Sequence, residues 1–200
     1  MTTEGPDAGS PHTQALALFE TALGYCGIAW GDRGLTGVQL PEDSAALTRA
    51  RMRRRFPDAL ACADDAVPGP VRQAMDDIAA LLRGEPHAPA DLTNIALDMR
   101  GASAFQQQVY ALTRVLPPGE TTTYGDIARQ LGDAGLARAV GQALGHNPFA
   151  PVVPCHRVLA AGARSGGFSA NGGVQTKLRM LLSEHARFDG PGLFDDAPLS

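Results

Sequence analysis

The residues best equipped for chemistry lie in one stretch, Asn147-Pro148-Phe149-Ala150-Pro151-Val152-Val153-Pro154-Cys155-His156-Arg157-Val158. Pro148, Pro151 and Pro154 cannot continue a helix, and they fix an extended path of low entropy that delivers Cys155 to one place. A thiol attacks carbon as its thiolate. A neighbouring imidazole or cation raises that population by lowering the thiol pKa from about 8.5, and His156 and Arg157 follow at once. Two readings stay open on these residues alone. Cys155 is an activated nucleophile with His156 as its base, or it is a buried thiol serving as a small hydrophobe, because neighbours on an extended chain point to opposite sides.

The elements that must hold this stretch are helical on its N-terminal side. SAFQQQVYALTRVL carries Phe105, Val109, Leu112 and Leu116 on one face, with Ser103 as N-cap and Pro117-Pro118-Gly119 as its stop. Thr122 or Thr123 can cap TYGDIARQLG, and the turn from Gly132 to Gly135 separates it from LARAVGQALGHN. Two short helices across a glycine-bearing turn make a helix-turn-helix pattern, or a plain helical hairpin. Ala137, Ala139, Gly141, Ala143 and Gly145 keep the second helix slim, so that a neighbouring backbone or a nucleic-acid groove can approach it, and Arg138 is its one formal charge.

Further upstream, QALALFETALG, GYCGIAW and GLTGVQLP read as short strands, with residues 31–34 as a hairpin turn. Residues 43–55 and 69–83 read as helices, the second with Pro70 near its start and Gly84 after its end. NIALDM is a further strand candidate. Arg51, Arg53, Arg54 and Arg55 cluster at the end of the first helix and read as a solvated face, with DNA phosphates as the alternative. The expected fold class is α+β: a small antiparallel-sheet N-terminal domain over residues 14–99, then a mainly helical domain with a helix-turn-helix over residues 100–187. Residues 1–13 read as a disordered lead-in and residues 188–200 as an acidic tail.

At 200 residues, 44% hydrophobic and 19% charged, the chain has ordinary globular composition. It has no apolar run of the roughly 18 to 20 residues that span a bilayer and no secretory leader, so no membrane role and a cytoplasmic location are expected. Three widely spaced cysteines make no disulfide framework, and Cys26, Cys62 and His87 lack a metal-ligand spacing. No metal and no cofactor are expected. The net charge of −4 hides an asymmetry: residues 1–100 carry −5, residues 101–187 carry +4, and the last thirteen −3. With Lys177 the only lysine, nearly all positive charge sits on guanidinium groups, which suit phosphates and stacked bases; GC-biased codon usage accounts for the excess equally well.

NPFAPVVPCHRV resembles the active-site segment of the O6-alkylguanine-DNA alkyltransferases, the methylated-DNA-protein-cysteine methyltransferases. FQQQVYALTRVLPPGETTTYGDIA resembles that family's helix leading into its DNA-binding motif, LARAVGQALGHNP its recognition helix, and GGFSANGGVQTKLRMLLSEH its C-terminal segment. The resemblance implies DNA repair by direct reversal. Cys155 would take the alkyl group from O6 of guanine, with O4-alkylthymine a candidate second substrate, and the protein would be consumed in one turnover. His156 would act as base through an ordered water, Glu184 would orient the imidazole, and Asn147 would brace the active-site loops. Tyr124 would donate to guanine N3 and help rotate the nucleotide, Ser169 would donate to O6, Phe168 would form an apolar wall, and the carbonyls of Cys155 and Val158 would read the exocyclic amine. The partner would be double-stranded DNA bound as a monomer in the minor groove. Arg138 would fill the gap left by the flipped nucleotide, and Thr123, Ala137 and Gly141 would join it in binding the DNA.

The chain departs from the family pattern in places. Phe168 stands where many members carry Tyr, Ala150 replaces a proline found in some, and Ser169 to Gly173 is about two residues longer than in some, so Glu184 is assigned from the C-terminal side of GGVQTKLRMLLSE. It is the only acid between Cys155 and Phe188. The alternatives to repair chemistry are a non-catalytic sensor of alkylated DNA, which would lack the reactive cysteine, and a thiol hydrolase using Cys155 and His156.

Overall fold

The computed structural model describes residues 14–84, 92–163 and 165–186; the lead-in, the acidic tail and His87 lie outside them. The chain begins with β1 (Ala15–Thr21), β2 (Gly24–Gly31) and β3 (Gly34–Gln39), an antiparallel meander in which Ala15 faces Trp30 and Thr21 faces Gly24. Gly34, at φ +123°, closes the second turn in a conformation that L side chains avoid. A two-residue strand, β4 (Leu60–Ala61), adds to the free side of β1 in parallel, giving the order β3-β2-β1-β4.

Alternation along the strands gives the sheet two buried faces. Leu16 and Ala29 turn toward α1 (Ala45–Arg55), where Met52 is fully buried, while Ala17, Cys26, Ile28 and Val38 turn toward the main core. The approach of α1 depends on Gly27, since a Cβ there would stand 2.4 Å from Met52 Cγ. Ser44 caps α1 by accepting from Leu47 N–H at 3.3 Å. On the other face α2 (Gly69–Arg83) contributes Val71, Ala74, Met75 and Ile78 and ends on Gly84 in the left-handed region, as its Pro and Gly signals require.

NIALDM does not form a strand. Only Leu97 bridges to Leu35, with Leu35 N–H donating to Ala96 O at 2.9 Å and Asp98 N–H to Leu35 O at 2.8 Å. Turns on either side, closed by Ile95 N–H to Leu92 O and Ala102 N–H to Met99 O, leave too short an extended piece to propagate a ladder.

The C-terminal half is helical: α3 (Ala104–Arg114), α4 (Tyr124–Gln130), α5 (Ala137–Gly145) and α6 (Gly173–Ser183). Reciprocal capping boxes start α3 (Ser103 with Gln106) and α4 (Thr123 with Asp126). A 3-10 turn, Ala134–Leu136, carries α4 into α5, and the Tyr110 hydroxyl of α3 donates to Ala143 O of α5 at 3.0 Å, which fixes the helix pair on its support. A short parallel ladder, β5 (Thr122–Thr123) with β6 (Val158–Leu159), sets the start of α4 beside the cysteine segment. The buried core runs without a break from Ala17 and Ile28 to Val140, Phe149 and Met180. The architecture is α+β as expected.

Candidate active site

The proline-rich stretch is braced from within. Asn147 donates from Nδ2 to Val153 O at 2.8 Å and accepts from Phe149 N–H at 2.9 Å, closing the loop on one side chain. Phe149, buried, packs edge-on against Tyr110 with ring centroids 6.4 Å apart. The Ala150–Pro151 peptide is cis. Cys155, His156 and Arg157 then form a 3-10 turn rather than continuing the extended path, and all three side chains are buried. The extended path expected through the prolines therefore does not continue past Pro154: the turn sends the imidazole back toward the end of α6.

There His156 Nε2 meets Glu184 Oε1 at 2.9 Å, while Arg157 donates to the same carboxylate from Nε at 2.8 Å and from Nη2 at 2.7 Å. Arg157 Nη1 also donates to Leu116 O. Burial alone would raise the Glu184 pKa, but the hydrogen bonds and charges of His156 and Arg157 outweigh it and hold the carboxyl at about 2. Burial lowers the His156 pKa against the pull of Glu184, so the ring is held toward its neutral form. A carboxylate can only accept, so Nε2 carries the ring hydrogen and Nδ1 keeps a lone pair. Nδ1 is buried and has no hydrogen-bond partner among the described residues.

Burial also pushes the Cys155 thiol up. Against it work a hydrogen bond from the Asn147 side chain, the Lys177 charge, and the backbone N–H groups of Cys155 and His156. Lys177 was not among the candidate site residues. It lies on α6, fully buried, donates to Val158 O at 2.7 Å and sits 5.9 Å from the centroid of the Tyr124 ring. Burial brings its pKa down to about 8, with Cys155 opposing the shift. The clue in the sequence is the position: the sole lysine stands between Val174, Leu178 and Leu181 at helical spacing, on the stripe α6 buries.

Cys155 opens into a cavity of about 540 Å³ on the helix-turn-helix side. Tyr124, Ala137, Arg138, Gly141, Phe168 and Ser169 line it, so one opening gathers most of the candidate residues. Tyr124 is half-buried against Gly141 and Gly166, and burial, with Cys155 adding to it, raises its pKa, so the hydroxyl stays a donor. Arg138 is exposed at the rim. Val158 is buried with its carbonyl already accepting from Lys177. Thr123 lies outside the lining; its hydroxyl is engaged with Asp126, at 2.6 Å to Oδ2.

A family model described as the DNA binding domain of 6-O-methylguanine DNA methyltransferase matches residues 104–186. A methylated-DNA-protein-cysteine methyltransferase of Mycobacterium bovis is 43% identical over 122 residues, 60% of this chain and 68% of the relative. One from Methanothermobacter thermautotrophicus is 30% identical over 164 residues, 82% of this chain and 81% of the relative. The crystal structure of Mycobacterium tuberculosis OGT in complex with DNA aligns with a TM-score of 0.68 at 32% identity, covering 90% of this chain and 99% of that one. The chain belongs to the O6-methylguanine-DNA methyltransferase family.

The arginine cluster of α1 is only partly a solvated face. Arg53 and Arg54 are exposed and Arg51 pairs with Glu42 at 3.1 Å, but Arg55 turns inward, against the expectation of a solvated face. Its Nη1 donates to Val38 O at 3.1 Å and Gln39 Oε1 at 2.8 Å, and its Nη2 to Pro148 O at 3.3 Å. Val38 N–H reaches the same Pro148 carbonyl at 2.8 Å, and Asp43 accepts from Asn171 Nδ2 at 2.7 Å. The sheet-bearing half of the methyltransferase thus holds both loops that flank Cys155. Among the described residues no three His, Cys, Asp or Glu side chains gather as a metal site, and no helix is long and apolar enough to cross a membrane.

Proposed function

We propose that the chain repairs alkylated double-stranded DNA by moving the alkyl group from O6 of guanine to Cys155 Sγ in a single, irreversible turnover. The observation that carries this reading is the position of Cys155. Its thiol meets an open cavity on one side, lined by Tyr124 and Arg138, and the buried His156–Glu184 pair adjoins it in the chain.

The target atom is stacked inside a duplex, so the nucleotide must rotate out, for a few kcal/mol, into the cavity beside Tyr124. Arg138 at the rim fills the space left behind, and the slim face of α5, Ala137 and Gly141, lies along the minor groove, whose degenerate code suits a protein that must act at any sequence. His156 Nδ1 takes the thiol proton through a bridging water, and Glu184, already ionised, stabilises the imidazolium. Sulfur then bonds to the alkyl carbon, the carbon–O6 bond breaks, and its electron pair passes into guanine. Guanine regains a proton, delivered along Tyr124, so that one thiol hydrogen has been exchanged for one alkyl group. Ser169 donates to O6, Phe168 forms the apolar wall, Lys177 favours the thiolate, and Asn147 holds the loop. A carbonyl has two lone pairs, so Val158 can accept from Lys177 and still receive the exocyclic amine, beside the carbonyl of Cys155. Residues 14–99 and 100–187 serve as scaffold and reaction domains of a monomer, and three free thiols suit a reducing cytoplasm.

The test is a titration of protein against a duplex carrying one O6-methylguanine. Guanine restored in proportion to protein, stopping at one per chain and absent in Cys155→Ala, is the expected result. Continued turnover, or restoration by Cys155→Ala, would overturn the reading; tight binding without transfer would make the chain a damage sensor.

A further inference from the structure

Cys155 borders a second cavity, of about 190 Å³, on the side of the sheet. Gln39, Arg51, Arg55, Asn147 and Ala150 line it, and it shares Gly145, Cys155, Phe168 and Ser169 with the cavity assigned above to guanine. None of the roles derived so far uses this space. In-line displacement keeps sulfur, carbon and O6 collinear, so any substituent on the reacting carbon projects sideways from that axis, beside the sulfur. With the base in the first cavity, the second is the neighbouring room such a substituent can enter.

The wall of this room carries an unbalanced charge. The Arg51 charge is matched by Glu42 at 3.1 Å. Arg55 is half-buried and, among the described residues, bonds only to neutral acceptors: the carbonyls of Val38 and Pro148 and the Gln39 amide oxygen. A guanidinium has five N–H donors. These contacts take both on Nη1 and one on Nη2, leaving Nε–H and one Nη2–H without a protein partner among the described residues. The guanidinium also lies over the Phe56 ring, 5.2 Å from its centroid, an apolar neighbour that offers it no counter-charge. Burial and the nearby Arg51 charge both lower the Arg55 pKa, as expected of a cation that lacks an anion. The loop contacts fix the guanidinium in place before any ligand arrives, so little ordering remains to be done on binding.

Resting on the alkyl-transfer reading, we propose that the second cavity is a subsite for an anionic group on the transferred alkyl chain, with Arg55 as its specificity-determining residue and O6-carboxyalkylguanine as the substrate class it favours. The chemistry is unchanged: sulfur bonds to the methylene carbon, the carbon–O6 bond breaks with its electrons passing to guanine, guanine takes up the proton the thiol gave, and the carboxylate stays intact on the new thioether.

The experiment compares single-turnover rates on three duplexes that differ only at one base: O6-methylguanine, O6-carboxymethylguanine and its uncharged near-isostere O6-carbamoylmethylguanine. The carboxymethyl-to-carbamoylmethyl ratio is the readout, because damage to the loop through Pro148 slows both substrates together and cancels. The wild-type ratio should be about tenfold, the size of a charge-assisted pair over a neutral one. It should fall to near one in Arg55→Gln and stay within about twofold of wild type in Arg51→Gln, whose partner is Glu42. A wild-type ratio near one overturns the proposal without any variant, and so does a ratio that survives Arg55→Gln or collapses in Arg51→Gln. Absence of methyl transfer by the wild-type protein would instead overturn the alkyl-transfer reading on which the proposal rests.

Discussion

Cys26 and Cys155 are both buried thiols, and they differ in everything that surrounds the sulfur. Cys26, on β2, is 0% exposed among apolar side chains, and its one hydrogen-bond partner among the described residues is the Thr21 hydroxyl at 3.8 Å. Burial drives its pKa to about 12, with only Thr21 opposing. Cys155 is raised by burial too, but a side-chain amide, a buried ammonium and two backbone N–H groups counter it, and its sulfur borders two cavities. Burial therefore does not separate a structural thiol from a nucleophilic one. What separates them is whether the fold has also delivered positive charge, hydrogen-bond donors and room for a reaction partner.

The sharpest way to break this comparison is to exchange the roles. Cys155→Ala should lose alkyl transfer completely, whereas Cys26→Ala should keep the single-turnover rate within about twofold and lower stability modestly, as expected for a small buried side chain shortened by one atom. A rate loss in Cys26→Ala comparable to that in Cys155→Ala would dissolve the distinction.

Next in size is the Glu184 cluster, which has no counterpart at Cys26. Glu184→Ala leaves Arg157 buried without its carboxylate and should destabilise the protein by about 3–5 kcal/mol in denaturant titration. His156→Ala should slow transfer by roughly 10²–10⁴-fold at neutral pH, with part of the rate recovered as pH rises and the thiol ionises unaided. A pH-independent deficit would assign His156 a purely structural role.

Lys177→Met should cost about tenfold in transfer rate, because it removes the charge that works against burial at the Cys155 thiol, while leaving the Cys26 environment untouched. The wild-type protein should lose the same advantage progressively above about pH 8, as Lys177 gives up its charge. A rate profile that crosses pH 8 identically in both proteins would remove Lys177 from the account.

Stability carries a common acid sensitivity with a defined sign. Both His156 and Glu184 have folded pKa values below their ordinary 6.5 and 4.5. As pH falls through each ordinary value, the unfolded chain binds a proton that the folded chain does not, so stability declines from near pH 6.5 and more steeply below 4.5, toward the Glu184 value of about 2. Glu184→Gln should flatten the lower part of this curve, and an unaltered curve would place the titration elsewhere.

The two halves were not equally legible in the sequence. Local signals gave true boundaries: Pro70 and Gly84 for α2, Ser103 for α3, Thr123 for α4. The prolines before Cys155 correctly announced a fixed segment, although the turn at Cys155–Arg157 depends on packing against α6 and was not visible locally. β4 is two residues long and exists because β1 has a free edge, which no period within Leu60–Ala61 could reveal. Arg55 looked like its exposed neighbours because its acceptors, Val38, Gln39 and Pro148, come from β3 and from a loop far along the chain. Lys177 had a local signature, a charge on an apolar stripe, but its partner at Val158 O is tertiary.

The most direct test of the contrast is intact-protein mass spectrometry with peptide mapping after one equivalent of O6-methylguanine duplex. The account predicts that the chain gains a single methyl group, on the peptide containing Cys155, with Cys26 and Cys62 unmodified and guanine restored. A methyl group on Cys26 or Cys62, or guanine restored with all three thiols unchanged, would contradict it.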